Sequence, residues 1–429
     1  MPNLNKRRWP ILLVTAIIIS SFSACGSNQV SNSVTPVGLS GVPAVRLNYQ
    51  YEADVPAPTL PATSAEERNA GVLADFDTNR TQEALERTIT SPDKKHVFAI
   101  YRNITDLSSE FRIDAYSPDG KLIKKVTPDT MAVHFPDTIV WSPDSNSIAF
   151  VAMLRTLTPL AAASPVPAST TPVVDPLDPN TNTAMPEPTP APIATPAQPT
   201  GVLTFRSEQI YMCNADGGAL KALTQNEGLI YFYYVWSPDS TMLAALATTV
   251  REWRYLEVIA ESKGEMMVPL GRPRVIEKNG RERRLDDNLT AVHPVWSPDS
   301  TKISAAFATQ VRIYDAIGVN PTQAAIPLKN QLLISSQAYD RDQQRIAANS
   351  TLDANTNTAP IVDQPLTTLP DEKLLVSYNP IVEVAWTADD LLYSKTAYLK
   401  RMKLEAENVT SFSRWHRLVL SQQIVAPLK

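Results

Sequence analysis

The feature that most constrains this fold is a pentapeptide, Trp-Ser-Pro-Asp-Ser, which occurs three times. Its copies start at Trp141, Trp236 and Trp296. The tripeptide Ser91-Pro92-Asp93 is the same turn without the tryptophan, and Trp386-Thr387-Ala388-Asp389 is a degenerate copy. Proline presets φ for the second position of a β-turn, and Asp or Ser side chains bond to the turn backbone. A turn repeated in this way predicts an array of similar structural units.

The strands around these turns define the repeating unit. Each turn is followed by an apolar segment, which predicts a hairpin repeated five times. A second, outer hairpin follows in two repeats, where Asp119-Gly120 and Asp216-Gly217 supply tight turns. Four strands at intervals such as the 60 residues from Trp236 to Trp296 are typical of a propeller blade. We therefore predict an all-β propeller of four-stranded blades, six in number, with five or seven as open alternatives.

Three other segments complete the predicted domain, which spans 44–429. Residues near Val45–Tyr49 are expected to complete a sheet with Trp415–Val419. An unmarked blade could lie around Lys373–Val376. Twelve prolines fall between Pro159 and Pro199, so residues 157–202 are predicted to be a disordered insert rich in Pro, Thr and Ala. A weaker insert is expected near 347–363.

The N-terminus has the pattern of an export signal. Lys6, Arg7 and Arg8 precede the apolar run Ile11–Ile19, which is too short to span a membrane. Ser23-Ala24-Cys25 then resembles the lipobox of bacterial lipoproteins, although Phe22 stands where that family carries an aliphatic residue. The resemblance implies a signal peptide at 1–24, lipid on Cys25 and a flexible tether over 25–43. The alternative is an ordinary secretory signal, and both place the mature chain outside the cytoplasm.

The repeats themselves resemble the WD-repeat-like blades of TolB and of the propeller domains of some serine peptidases. The residues that carry the resemblance are the Trp-Ser-Pro-Asp turns and the Asp-Gly outer turns, over roughly residues 84 to 425. TolB-type propellers usually have six blades and serve as binding modules in the cell envelope. Because one architecture hosts many functions, the resemblance predicts the fold and not the partners.

Residues with catalytic chemistry are few. The nucleophile elbow Gly-x-Ser-x-Gly of the peptidase relatives does not occur in the sequence, and no pair of histidines has metal-ligand spacing on one element. We therefore predict no metal and no cofactor. His134 and His293 lie just before inner strands and are candidates for a polar site at the channel mouth. The alternative is that both are ordinary solvated or hydrogen-bonded loop residues.

The repeated motif is interpreted as structural. A residue that recurs in every blade serves every blade, so Asp144, Asp239 and Asp299 are predicted to cap turns rather than to catalyse. The tryptophans, including Trp386, are expected to wedge between sheets. This structural set is Trp141, Asp144, Trp236, Asp239, Trp296, Asp299 and Trp386.

Charge gives one more candidate surface. A basic stretch from Arg272 to Arg284 is interrupted by acidic residues and has a hairpin tip at Asn279-Gly280. It is interpreted either as a solvated, charge-mixed hairpin or as a contact for acidic cell-wall polymer or lipid headgroups. The net charge of the whole chain is −5, which gives no indication of nucleic-acid binding.

Together these observations predict a non-enzymatic, monomeric lipoprotein on the outer face of the membrane. Its propeller would bind an envelope protein or a cell-wall polymer, and its lipid would bind the membrane. Two alternatives stay open. One is a channel-mouth ligand-binding protein or a hydrolase or lyase that uses His134 and His293. The other is a scaffold that presents the proline-rich insert to a partner.

Overall fold

The computed structural model describes residues 38–60, 68–155, 208–351, 377–400 and 409–423. The predicted signal peptide, Cys25, the proline-rich insert and the segment Lys373–Val376 lie outside these ranges. Of the predicted tether, only the part from Gly38 onward is described.

The described residues are mostly β-strands. In chain order the first ten are β1 (Leu47–Val55), β2 (Glu83–Thr90), β3 (Val97–Asn103), β4 (Arg112–Tyr116), β5 (Leu122–Lys125), β6 (Met131–His134), β7 (Val140–Trp141), β8 (Ser147–Leu154), β9 (Gln209–Asn214) and β10 (Lys221–Ala222). The remainder are β11 (Leu229–Trp236), β12 (Met242–Thr249), β13 (Arg272–Glu277), β14 (Glu282–Arg284), β15 (Val295–Trp296), β16 (Lys302–Phe307), β17 (Gln310–Asp315), β18 (Gln323–Pro327), β19 (Ser377–Tyr378), β20 (Ile381–Ala388), β21 (Leu391–Lys400) and β22 (Val409–Gln422).

These strands form five antiparallel sheets in the described part of the chain. The first sheet has the order β2-β3-β4-β5, the third β11-β12-β13-β14 and the fourth β15-β16-β17-β18. In the second sheet, β6 and β7 both pair with β8, which continues to β9 and β10. This repeated meander confirms an all-β, propeller-like architecture. Five sheets are seen in these ranges where six blades were predicted, and the blade count stays a prediction.

The fifth sheet joins the two ends of the domain. Strand β1 pairs antiparallel with β22, with Tyr51 opposite Leu418 and Glu52 opposite Arg417. Strands β20 and β21 complete the meander, and the short β19 pairs with β21. The expected pairing of the segment near Val45–Tyr49 with the C-terminal strand is thus seen, although the paired strand begins at Leu47. Strand β1 is the outer strand of the fifth sheet, and the other strands come from the C-terminal part of the domain. The sheet therefore contains residues from both ends of the domain.

The repeated motif links each sheet to the next. In all three complete copies, the hydroxyl of the motif's first Ser donates to the carboxylate of its Asp, as Ser237 does to Asp239 at 2.6 Å. The same carboxylate accepts the backbone N–H of the residue two positions later. The last Ser of the copy has φ near +60°, with Ser240 at 62°. Its Oγ accepts the backbone N–H of the Asp in the preceding sheet, as Ser240 does from Asp144 at 3.0 Å. The same hydrogen bond, from an Asp backbone N–H to a Ser Oγ in the following sheet, joins Asp93 to Ser145, Asp144 to Ser240 and Asp239 to Ser300.

The motif tryptophans make a second set of links between sheets. Trp236 Nε1 donates to the carbonyl of Val140 at 3.4 Å, and Trp296 Nε1 donates to Val235 at 3.2 Å. Trp141 reaches Ile89 in the same way at 3.3 Å. Each hydrogen bond therefore fixes the position of one inner strand against the next, as well as burying an aromatic ring.

Hydrophobic packing follows the same order. One cluster joins the first and second sheets through Phe98 and Phe150, and another joins the second and third through Val151 and Leu243. The third and fourth sheets share a cluster, and so do the fourth and fifth. The core is therefore a series of apolar layers between neighbouring sheets, as expected for alternating strands packed face to face.

Three α-helices within the described ranges depart from a purely β prediction. Helix α1 (Ala70–Asn79) covers the first sheet, α2 (Val250–Lys263) lies between β12 and β13, and α3 (Lys329–Thr351) follows β18. Thr249 and Glu252 form a capping box that starts α2. Residues 347–351 of the insert expected near 347–363 continue α3, and the rest of that insert lies outside the described residues, so it stays a prediction. None of the helices in the described ranges combines the length and hydrophobicity that crossing a bilayer requires.

Candidate functional site

A face-to-face pair of rings lies where the third and fourth sheets meet. The rings of Tyr233 and His293 have centroids 3.6 Å apart and planes 9° apart. Tyr233 follows a register shift in β11, next to the bulged Phe232. Bulges re-aim side chains and are over-represented next to active sites. His293 lies in the segment that leads into β15, so an inner strand of one sheet and the approach to the next build this pair.

The protonation states of this pair suit proton transfer. His293 is exposed, yet the surrounding protein desolvates it and lowers its pKa, while the nearby carboxylate of Glu383 partly opposes this shift. Burial also raises the pKa of Tyr233 to about 12. At neutral pH the imidazole is therefore uncharged and able to accept a proton, whereas the phenol keeps its proton.

Charged residues of the fifth sheet extend the site. Glu383 lies on β20, directly after another register shift at Ile381. Its Oε2 is 2.9 Å from Lys395 Nζ, and the two residues are opposite each other in the sheet. The same ammonium lies 5.4 Å from the centre of the Trp415 ring. We call Tyr233, His293, Glu383, Lys395 and Trp415 the inner-strand cluster; it combines a neutral imidazole, a carboxylate, an ammonium and two aromatic rings.

The other predicted histidine has a different environment. His134 is 3 % exposed, and its Nδ1 lies 3.5 Å from Oε1 of the buried Glu208. Its ring also lies against Phe135, whose φ of 51° is unusual for a bulky residue. Phe135 in turn packs edge-on against Trp253 of α2. The contacts of His134 are thus with Glu208 and Phe135, and those of His293 with Tyr233; a shared site for the two stays a prediction.

The remaining candidate residues have structural contacts. Asp144, Asp239 and Asp299 all cap their turns, and hydrogen bonding to the motif serine contributes to lowering the pKa of each against the opposing effect of desolvation. Trp386 differs from the other tryptophans, because its Nε1 donates to Asp389 in its own turn. Cys25 lies outside the described residues. Within the described ranges, no three His, Cys, Asp or Glu side chains come close enough to hold a metal ion.

The sequence analysis missed four members of the cluster. Tyr233 belongs to an aromatic run, Tyr231-Phe232-Tyr233-Tyr234, in which strict alternation would bury every second ring. That run was a usable signal, since four consecutive aromatic residues place rings on both faces of a strand. Glu383, Lys395 and Trp415 come together only through strand register, which single-sequence patterns do not define.

Comparison with known proteins gives fold-level matches. No family model and no curated protein matches the chain. Prolyl oligopeptidase B from Galerina marginata is 10% identical over 78% of this chain and 36% of its own, with a TM-score of 0.37. The chain thus spans about a third of that peptidase. Oligogalacturonate lyase from Vibrio parahaemolyticus is 10% identical over 78% of this chain and 65% of its own, with a TM-score of 0.31. A TolB-type protein from Agrobacterium tumefaciens is 15% identical over 56% of this chain and 65% of its own, with a TM-score of 0.25.

At these TM-scores the matches carry no argument for this chain; the propeller-like description rests on its own antiparallel sheets, and membership of the TolB family stays a prediction. One prediction nevertheless requires a correction. The sequence analysis predicted a non-enzymatic binding platform, but the similar structures are mostly enzymes, namely peptidases and a lyase. Identities near 10% and TM-scores below 0.4 transfer none of their activities to this chain.

Proposed function

We propose that the inner-strand cluster binds a polar ligand and exchanges a proton with it, as a hydrolase- or lyase-type active site does. The observation that carries this proposal is the stacked Tyr233–His293 pair, in which partial desolvation lowers the pKa of the imidazole and so favours its neutral form. A general base is most effective when its pKa lies near the working pH, where it is largely unprotonated and still basic enough to take a proton.

Each residue of the cluster has a distinct proposed role. His293 is the proton acceptor, and the ring of Tyr233 fixes its orientation by stacking. Lys395, held 2.9 Å from Glu383, supplies a positive charge that would stabilise an anion developing on the ligand. The ring of Trp415 offers a flat surface beside that charge. This arrangement suits a ligand with a polar group and a flat apolar face.

The test combines a titration with an activity screen. NMR of the imidazole should give a pKa for His293 below 6.5. Addition of a screened compound that binds the cluster should shift the His293 resonances. Activity would be screened on uronic-acid oligosaccharides, neutral oligosaccharides and short peptides. His293→Gln should lower any activity found by about 10²-fold or more. His96→Gln is the matched control, since His96 lies in the first sheet near Trp141.

Two outcomes would contradict the proposal. The first is an active preparation whose turnover is equal in wild type and His293→Gln. The second is a screen in which no compound alters the His293 resonances or is converted. In the second case, the Tyr233–His293 stack would be a packing contact between two sheets.

We also propose that the five sheets are the blades of one ring, and that pairing of β1 with β22 holds its ends together. The support is the sequence of contacts from the first sheet to the fifth through shared apolar clusters. Export and lipid attachment at Cys25 remain proposals that rest on the sequence. Labelling with a radioactive fatty acid should mark the wild type and not Cys25→Ala, and equal labelling of both would exclude this site.

A further inference from the structure

A groove of about 660 Å³ lies between the third and fourth sheets, and none of the residues that line it belongs to the inner-strand cluster. One wall is the outer hairpin formed by β13 and β14, and the other is the connection from β17 to β18. The side chains that define its character are Lys278, Arg281 and Arg283 on the first wall and Ile317, Gly318 and Val319 on the second. We call it the basic groove.

Arg283 is the best-placed cation in the groove. It is half-buried, and its Nη2 donates to the carbonyls of Asp315 at 2.6 Å and Ala316 at 3.1 Å. These two bonds fix the guanidinium plane and leave Nε and Nη1 for other acceptors. Among the described residues, no carboxylate lies within ion-pair distance of this group, and burial lowers its pKa. A fixed, desolvated guanidinium with remaining donors is suited to bind an oxyanion.

The other two cations are only weakly neutralised. Lys278 Nζ is 3.9 Å from the carboxylate of Asp144 and 5.2 Å from the centre of the Trp236 ring. Arg281 is 3.8 Å from Glu277, and its side chain is 75% exposed. Glu277, which also accepts from Asn279, is the single carboxylate residue among those that line the groove, against three cations. The groove therefore carries an excess of positive charge.

The opposite wall is apolar at its tip. Ile317 is 55% exposed and Val319 is 97% exposed, on either side of Gly318, whose φ of 114° turns the loop outward. Exposed branched aliphatic side chains lose hydration favourably when an apolar surface covers them. A ligand that satisfies both walls has an anionic group for the arginine and an apolar part for the loop.

We propose that the basic groove binds the phosphate of an anionic phospholipid headgroup, with Arg283 as the phosphate ligand and with Ile317 and Val319 in contact with the lipid's apolar part. Charge complementarity favours this occupant, because basic side chains next to exposed aliphatic residues are the combination that binds anionic membrane surfaces. Free phosphate has the same oxyanion chemistry but does not cover the apolar wall. An acidic peptide is a different partner, which the same measurement can exclude.

The experiment uses the full chain and soluble probes, so that the N-terminal segment does not determine the result. Calorimetric titrations would compare short-chain phosphatidylglycerol, short-chain phosphatidylcholine and inorganic phosphate, all below micelle-forming concentrations. We expect binding of phosphatidylglycerol that weakens as salt is raised, and affinities at least about ten-fold lower for the other two probes. Arg283→Gln and Val319→Ser should each weaken binding of phosphatidylglycerol, whereas Arg254→Gln, an equal charge change on exposed α2, should not.

The results that would overturn the proposal are distinct. Equal affinity for phosphatidylcholine and phosphatidylglycerol would show that the negative charge of the headgroup plays no part in binding. Equal affinity for inorganic phosphate would show that the apolar part of the lipid plays no part. Unchanged affinity in Arg283→Gln, in a variant whose circular dichroism matches wild type, would show that Arg283 is not the phosphate ligand. Stronger binding of a poly-glutamate peptide than of phosphatidylglycerol would assign the groove to an acidic peptide. None of these outcomes depends on the activity proposed for the inner-strand cluster.

Discussion

Acidification should weaken the junction between the two ends of the domain, through His416. This residue of β22 is fully buried, and both ring nitrogens have partners. Nδ1 lies 2.9 Å from the hydroxyl of Tyr51 and accepts the backbone N–H of Asp54 at 3.3 Å, while Nε2 lies 2.9 Å from Oγ1 of Thr396. Because a backbone N–H can only donate, Nδ1 is unprotonated and the proton resides on Nε2. Protonation of Nδ1 would therefore break the hydrogen bond from the Asp54 N–H and would force the Tyr51 hydroxyl to change from donor to acceptor.

The magnitude follows from the shifted pKa. Burial, together with the positive charge of Arg414, lowers the pKa of His416 to about 4, and the carboxylate of Asp54 opposes this only in part. In the unfolded chain the value is about 6.5, so the unfolded state binds more protons between pH 4 and 6.5. The stabilisation is complete above pH 6.5 and is lost as the pH falls toward 4. A shift of this size corresponds to about 3 kcal/mol.

Urea unfolding at pH 7 and pH 4.5, in wild type and His416→Gln, measures this contribution. Carboxylates titrate in both proteins, so the difference between them isolates the histidine. The stability advantage of wild type should shrink by about 2 to 3 kcal/mol on acidification. Hydrogen exchange in β1 should accelerate in parallel, because Tyr51 and Asp54 lose their acceptor. An advantage that stays constant between the two pH values would refute the argument.

Three further substitutions test the packing between sheets, each by its effect on the urea unfolding free energy. Ser240→Ala should cost about 1 to 3 kcal/mol, because it leaves the Asp144 N–H without its acceptor in the next sheet, and no loss would mean that water replaces the hydroxyl. Asp239→Ala should cost about 0.5 to 2 kcal/mol by removing a cap, and unchanged stability would contradict that role. Gly71→Ala should cost about 1 to 3 kcal/mol, because its Cβ would lie 2.7 Å from the carbonyl oxygen of Asp119, and a neutral result would show that α1 can shift on the first sheet.

The repeating part of this fold was predictable because it is local. Pro and Asp at fixed positions define the turn, and Gly120 and Gly217 adopt the positive φ that the outer turns require, at 86° and 79°. The links between sheets were not predictable in the same way. Ser240 was visible as the last residue of the motif, but its acceptor role toward Asp144 depends on how neighbouring sheets are placed. Helix α3 was also missed, and only its last residues overlap the insert that was expected near 347–363.

The candidate site was less accessible than the fold. His293 was identified from its place before an inner strand, and the structure adds Tyr233 as its partner. The link to Glu383 joins residues 90 positions apart on different sheets, and no local pattern encodes it. His134 shows the opposite case. It too precedes a motif tryptophan in the sequence, yet the structure places it at the end of β6, buried beside Glu208, and not in a loop.

The motif also explains where the site lies. The regular links run from the first sheet to the fourth, but the fifth sheet has Asp390 in place of the last Ser, and Trp386 bonds within its own turn. Other contacts hold this sheet: the N–H of Ala44 donates to Asp315, and Lys302 Nζ donates to the carbonyl of Leu39. The inner-strand cluster spans this irregular junction through Glu383. The repeated motif thus marks the regularly linked sheets, and the charged members of the cluster, Glu383 and Lys395, lie on the sheet where these links end.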